Sequence, residues 1–99
     1  MIVYHVAERS KVPDILSCGL FPGRVPNRYD VRGIFFVGNR EGVEDILYWE
    51  DFEEPIVLRV SLPSDFPLHI DEAGKEIYPD ACPMYTTRHV PSKYIRAER

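Results

Sequence analysis

No apolar run in this chain is long enough to cross a bilayer, and its start has no basic stretch leading into an extended hydrophobic segment. A membrane-spanning helix and a secretory leader are both disfavoured on that ground. Cysteine is scarce. Cys18 and Cys82 stand far apart and in no metal-ligand spacing, so a reduced, buried pair in a cytoplasmic protein is the expectation, although two thiols also permit one disulfide. Positive charge is in deficit, with 12 lysines and arginines against 16 acids and a formal net charge of -4. That balance opposes broad electrostatic adhesion to nucleic acid and leaves such binding to local patches. Low-complexity sequence is absent too, and the mixture of 28% charged with 44% hydrophobic residues suits a folded chain rather than a disordered one. A chain of 99 residues is expected to form one small domain, 1–99, in which a large cofactor cavity would take up much of the interior.

What is present begins with Ile2-Val3-Tyr4-His5-Val6-Ala7, a β-branched and aromatic run that predicts a buried strand with one polar side chain, His5, on one face. A histidine placed so has two readings. It is either packed with a ring nitrogen bonded to backbone, or it is a ligand-binding group whose ring is held in a fixed direction by a rigid element. Directly after it come the marks of a short helix: Ser10 as cap, Pro13 in the first turn, Val12, Ile15 and Leu16 as the apolar face, and Gly19 as the stop with Leu20 folding back over the end.

Residues 21–32 then contain two prolines, a glycine and no periodicity, which predicts a long loop. Arg24, Arg28 and Arg32 oppose the single acid Asp30 there. They read equally as solvated charges or as an anion-facing lid, because arginine forks match phosphate oxygens. Gly33-Ile34-Phe35-Phe36-Val37 is a second buried strand, and Asn39 can cap a helix over 40–50 whose buried stripe is Val43, Ile46 and Leu47. The acids Glu41, Glu44, Asp45, Glu50, Asp51, Glu53 and Glu54 read as a solvated face. After Pro55, residues 56–62 show the clearest strand alternation, with Arg59 and Ser61 on the outer face. A short strand at 68–71, a turn at 72–75, an extended piece at 76–78 and two short final strands around a loop complete the prediction. The class expected is α+β, with a mixed or antiparallel sheet and two short helices.

Taken together, Tyr4-His5, the helix ending in Ile15-Leu16-Ser17-Cys18-Gly19-Leu20, the Gly33-Ile34-Phe35-Phe36 strand and the ending Val90-Pro91-Ser92-Lys93-Tyr94-Ile95 resemble the ADP-ribosyltransferase superfamily in order and spacing over most of the chain. The tail from Tyr85-Thr86-Thr87-Arg88-His89 onward is most similar to the RNA 2′-phosphotransferase branch of that superfamily. The resemblance implies a fold of split small sheets with a cleft for NAD, and transfer of an ADP-ribosyl group, or a related NAD-using phosphotransfer, onto a protein or nucleic-acid acceptor. By the same resemblance His5 would bond a ribose, the backbone of Val6 would meet the nicotinamide amide, and Phe35 or Tyr48 would stack on the nicotinamide ring. Arg24 and Arg32 would neutralise phosphate. Catalysis would fall to His5, Arg32 and the hydroxyls of Tyr85 and Thr86, because an oriented hydroxyl or acid favours the positive charge that develops on the ribose. Many members of the superfamily place a glutamate where this chain has Pro83-Met84-Tyr85, and the nearest acid is Asp80. The alternative function is therefore a non-catalytic domain of the same type that binds a nucleotide, ADP-ribose or a protein. A metal site built from His5, His69 and His89 is a further alternative; otherwise His69 reads as a surface or edge-strand residue and His89 as a loop residue.

Overall fold

The computed structural model describes residues 1–23 and 32–98. Arg24, Arg28, Tyr29 and Asp30 of the arginine-bearing loop lie outside the described residues. In chain order the elements are β1 (Ile2–Glu8), α1 (Val12–Cys18), β2 (Ile34–Val37), α2 (Arg40–Trp49), β3 (Pro55–Ser61), β4 (His69–Ile70), α3 (Glu72–Ile77), β5 (Pro83–Thr86) and β6 (Ile95–Ala97). Short 3-10 turns precede α1 and β6. The six strands make one sheet in the order β4-β5-β2-β1-β3-β6, and helices cover both its faces, so the α+β class holds.

Every pairing in the sheet is antiparallel, within the expectation of mixed or antiparallel pairing, but the strands form one continuous sheet, which corrects the split sheets that the resemblance implied. The reason for the antiparallel order lies in the placing of β1. Because β2 and β3 both run against β1, they are parallel to one another, and α2 is the crossover between them; but β1 lies between the two, so no parallel neighbours pair.

Alternation along β1 divides the core. Val3 and Ala7 face α1 and join Val12, Leu58, Val60 and Val90 in the larger apolar cluster, whereas Tyr4 and Val6 face α2 and pack with Val37, Val43, Ile46 and Leu47. Burying each aliphatic side chain of this kind is worth about 1.5–3 kcal/mol. Asn39 caps α2 as expected, its Oδ1 accepting from the Gly42 N–H at 2.7 Å while its Nδ2 donates to the Asp80 carbonyl at 2.8 Å.

Four local expectations are corrected. Ser10 caps nothing, because the chain enters α1 through a 3-10 turn that already contains it. Leu16 is 42% exposed, since α1 is too short to bury more than the stripe carrying Val12 and Ile15. Residues 72–77 form α3 instead of a turn and an extended piece, started by Asp71, whose carboxylate accepts from the Gly74 N–H at 2.9 Å. Both cysteines are free and exposed, not buried. Among the described residues no helix is long and apolar enough to cross a membrane.

Candidate functional site

β1 runs beside β3 through seven register pairs, from Ile2↔Ser61 to Glu8↔Pro55, but meets β2 at only one, Tyr4↔Val37. Past Tyr4 the strands β1 and β2 part, and His5 is the first residue beyond the junction. Its Nδ1–H donates to the Phe35 carbonyl across the gap at 2.7 Å, taking the place of a ladder hydrogen bond. The ring also stands edge-on to Phe36, with centroids 5.9 Å apart.

Burial pushes the imidazole below its ordinary pKa of 6.5, and outweighs the opposing effect of the Phe35 carbonyl. The ring is therefore neutral near pH 7. With Nδ1 committed as donor, Nε2 carries a lone pair and has no hydrogen-bond partner among the described residues. A group presenting a hydroxyl is what such an atom binds. The depressed pKa also has a consequence for stability. Below about pH 6.5 the unfolded chain takes up a proton that the folded chain resists, so the His5 contribution is full above that value and is lost as pH falls toward the folded-state pKa. Urea denaturation between about pH 7 and about pH 5 should show this loss, and a His5→Asn variant should show a shallower one over the same range.

Two cavities have His5 in their walls. The larger, about 600 Å³, lies between β1, β2, α2 and α3; the smaller, about 460 Å³, lies between β1 and α1, and His5, Val6 and Phe52 line both. Phe35 and His5 both line the larger one, but from opposite faces of the sheet: the imidazole packs on Phe36 on the α1 face and the Phe35 ring on Tyr85 on the α2 face. Volumes of this size suit ligands of a few hundred daltons. Two chambers that share a neutral acceptor residue in their walls suit a ligand with two bulky halves and a hydroxylated middle.

The other sequence-derived candidates lie elsewhere. Val6 lines both cavities. Tyr48 is 77% exposed and packs edge-on against Trp49, and lines neither cavity. Arg32 is exposed and lines neither cavity. Thr86 is fully buried, with its hydroxyl accepting from the Arg88 N–H at 3.2 Å, a bond internal to the turn after β5. Tyr85 lies with its ring between Phe35 and His69. Among the described residues no three His, Cys, Asp or Glu side chains converge on a metal position; His69 is on the exposed edge strand and His89 in a loop.

Glu50, Phe52 and Tyr78 are among the residues of the larger cavity that the sequence reading did not place in the site. The Tyr78 hydroxyl donates to Glu50 Oε1 at 3.0 Å, which fixes a carboxylate at the cavity wall. Helical spacing held the signal for Glu50, because it follows Ile46 by four positions and caps the C-terminal end of α2 on that side, although it is itself exposed. Tyr48 does not lie on that side. For Phe52 the signal was a lone aromatic set among acids just before Pro55.

Compared with known protein families, with curated proteins and with solved structures, the chain matches none.

Proposed function

We propose that this chain is an NAD-binding domain of the ADP-ribosyltransferase type, which transfers an ADP-ribosyl group to a protein or nucleic-acid acceptor. The observation that carries the reading is the neutral imidazole of His5 in the walls of two cavities, locked by the Phe35 carbonyl with Nε2 left as a hydrogen-bond acceptor. A dinucleotide has two nucleoside halves, and the two chambers that His5 lines accommodate one each. NAD, when bound, supplies the electrophile: the bond from its ribose to nicotinamide breaks, the electron pair leaves with nicotinamide, a bond to an acceptor oxygen or nitrogen forms, and the acceptor proton is released.

The chain's own residues support that chemistry in stated ways. His5 accepts from a ribose hydroxyl and so fixes the sugar. Phe35 and Phe52 supply apolar walls for a planar ring. Glu50, held by Tyr78, offers negative charge for the positive charge that develops on the sugar, a role for which the sequence had offered the hydroxyls of Tyr85 and Thr86 and, as nearest acid, Asp80. Isothermal titration calorimetry with NAD, followed by incubation with adenylate-labelled NAD and mixed acceptors, tests the reading. Heat of binding and labelled product are expected; the absence of both removes it.

A second reading, a non-catalytic module that binds NAD or ADP-ribose, draws support from the positions of Arg32, Tyr85 and Thr86 away from the cavities. Binding with no release of nicotinamide in any acceptor mixture would select it.

A further inference from the structure

The larger cavity carries charge of one sign. Two carboxylates line it, those of Glu50 and Asp71, and no lysine or arginine does so among the described residues. Each carboxylate has a neutral donor as partner: the Tyr78 hydroxyl donates to Glu50 Oε1 at 3.0 Å, and the Gly74 N–H to Asp71 Oδ1 at 2.9 Å. Neither forms an ion pair among the described residues. Hydrogen bonds from neutral groups hold a carboxylate in place without cancelling its charge. The neutral His5 ring adds no compensating charge to the wall.

The rest of the wall is apolar and rich in rings. Alternation along the strands puts Tyr4 and Phe35 on the α2 face of the sheet together with Val6 and Val37, and Phe52, just past α2, lines the same cavity. Rings of this kind attract a cation through the negative charge of their faces. One such contact is already made by a ring of this wall, since the Arg40 guanidinium lies over Tyr4, 5.4 Å from the ring centroid. Arg40 is itself paired with Glu98 and does not line the cavity. An anion would meet two carboxylates there without a counter-charge, and a neutral ligand would leave both unmatched. A cation with apolar substituents satisfies the carboxylates and the rings together. A bare metal ion does not, because no three ligating side chains converge among the described residues. A cavity of about 600 Å³ suits a whole small molecule in preference to a single side chain.

We propose that the larger cavity is a binding site for a free small organic cation of the alkylated-ammonium class, held by the charges of Glu50 and Asp71 and by the rings of Tyr4, Phe35 and Phe52. The proposal does not rest on the reading of the cleft as an NAD site, although both ligands would compete for this cavity. Glu50 is exposed and Asp71 half-buried, so water screens part of their pull and the rings supply the rest.

Titration with choline and with neohexanol, its carbon isostere, followed by NMR chemical shifts in the absence of NAD, tests the charge directly. The two probes share a shape and differ in a quaternary nitrogen against a carbon. Choline should bind about tenfold more tightly. Glu50→Gln and Asp71→Asn each remove one charge and keep the existing hydrogen bond, because an amide oxygen accepts from Tyr78 or from Gly74 as the carboxylate does. Combined, they should bring the two affinities within about twofold of each other. Phe52→Leu keeps an apolar wall without the ring, and should weaken choline about threefold while leaving neohexanol unchanged. Unchanged thermal melts would show that the variants retain the fold. Failure of choline to bind, equal affinity for neohexanol, an undiminished preference in the combined variant, or tighter binding of a peptide carrying trimethyllysine would overturn the proposal. Calorimetry with NAD on the same preparations keeps the two readings apart. Choline binding without NAD binding removes the transfer reaction and retains the cation site, whereas NAD binding without choline binding does the reverse.

Discussion

His5→Asn is expected to fold like the parent and to bind NAD about tenfold to a hundredfold more weakly, the worth of one hydrogen bond at a buried site. The asparagine amide puts a donor where Nδ1 stood, so the link to the Phe35 carbonyl survives, but nothing replaces Nε2. His5→Leu serves as the contrast. It keeps the volume, removes the donor, and leaves the Phe35 carbonyl without its partner, which costs about 1–3 kcal/mol of stability. Calorimetry with NAD and urea denaturation on both variants separate the two roles. Unchanged NAD affinity in the asparagine variant would mean that the imidazole only fastens β1 to β2, and the proposed function would fall with it.

Gly19→Ala is expected to destabilise the fold by more than about 3 kcal/mol, a large share of the 5–15 kcal/mol typical of a domain. Gly19 has a φ of +90°, where a side chain is strained, and a methyl group there would collide with the Val90 carbonyl and with the His89 ring. Neither neighbour is free to move. The Val90 carbonyl accepts from the Leu20 N–H at 2.9 Å and the Val90 N–H donates to the Leu20 carbonyl at 2.9 Å, while His89 Nε2–H donates to the Cys18 carbonyl at 2.8 Å. One added carbon therefore disturbs the helix end, the bridge and the buried side chains of Leu20 and Val90 together. Leu16→Ala, on the exposed side of the same helix, should stay within about 0.5 kcal/mol of the parent. A Gly19→Ala midpoint equally close to the parent would show that the Val90 segment yields without cost.

The strands and the first two helices were legible because each has a local cause. Alternation in 56–62 anticipates β3, and Asn39 marks the start of α2 through a side-chain acceptor that needs only its own backbone three residues on. What depends on partners was not legible. The sequence pattern of β1 divides its side chains between two faces but says nothing of its neighbours, so the antiparallel order and the parting from β2 after Tyr4 emerge only in the assembled sheet. α3 was missed because Gly74 and the nearby Pro79 weaken the helical pattern, while its cap at Asp71 is a single residue. Tyr48 was chosen for its ring, yet the stripe of Val43, Ile46 and Leu47 turns it toward water, while Glu50, one turn past Ile46, reaches the cavity. His5 was found because a polar residue inside an apolar strand demands an explanation, and the bond to the Phe35 carbonyl is the packed one of its two readings.

The central position of β1 also bears on synthesis. Its two neighbours, β2 and β3, are made after it, and the last residue of β3, Ser61, follows Glu8 by 53 positions. At about 5–20 residues per second the ribosome needs roughly 3–10 seconds to cover that distance. Through that interval a seven-residue strand rich in valine and isoleucine waits with one or both of its edges unpaired, the condition under which strands recruit wrong partners. A nascent chain of this protein is accordingly most open to aggregation, and to capture by chaperones that hold extended apolar segments, before β3 has emerged.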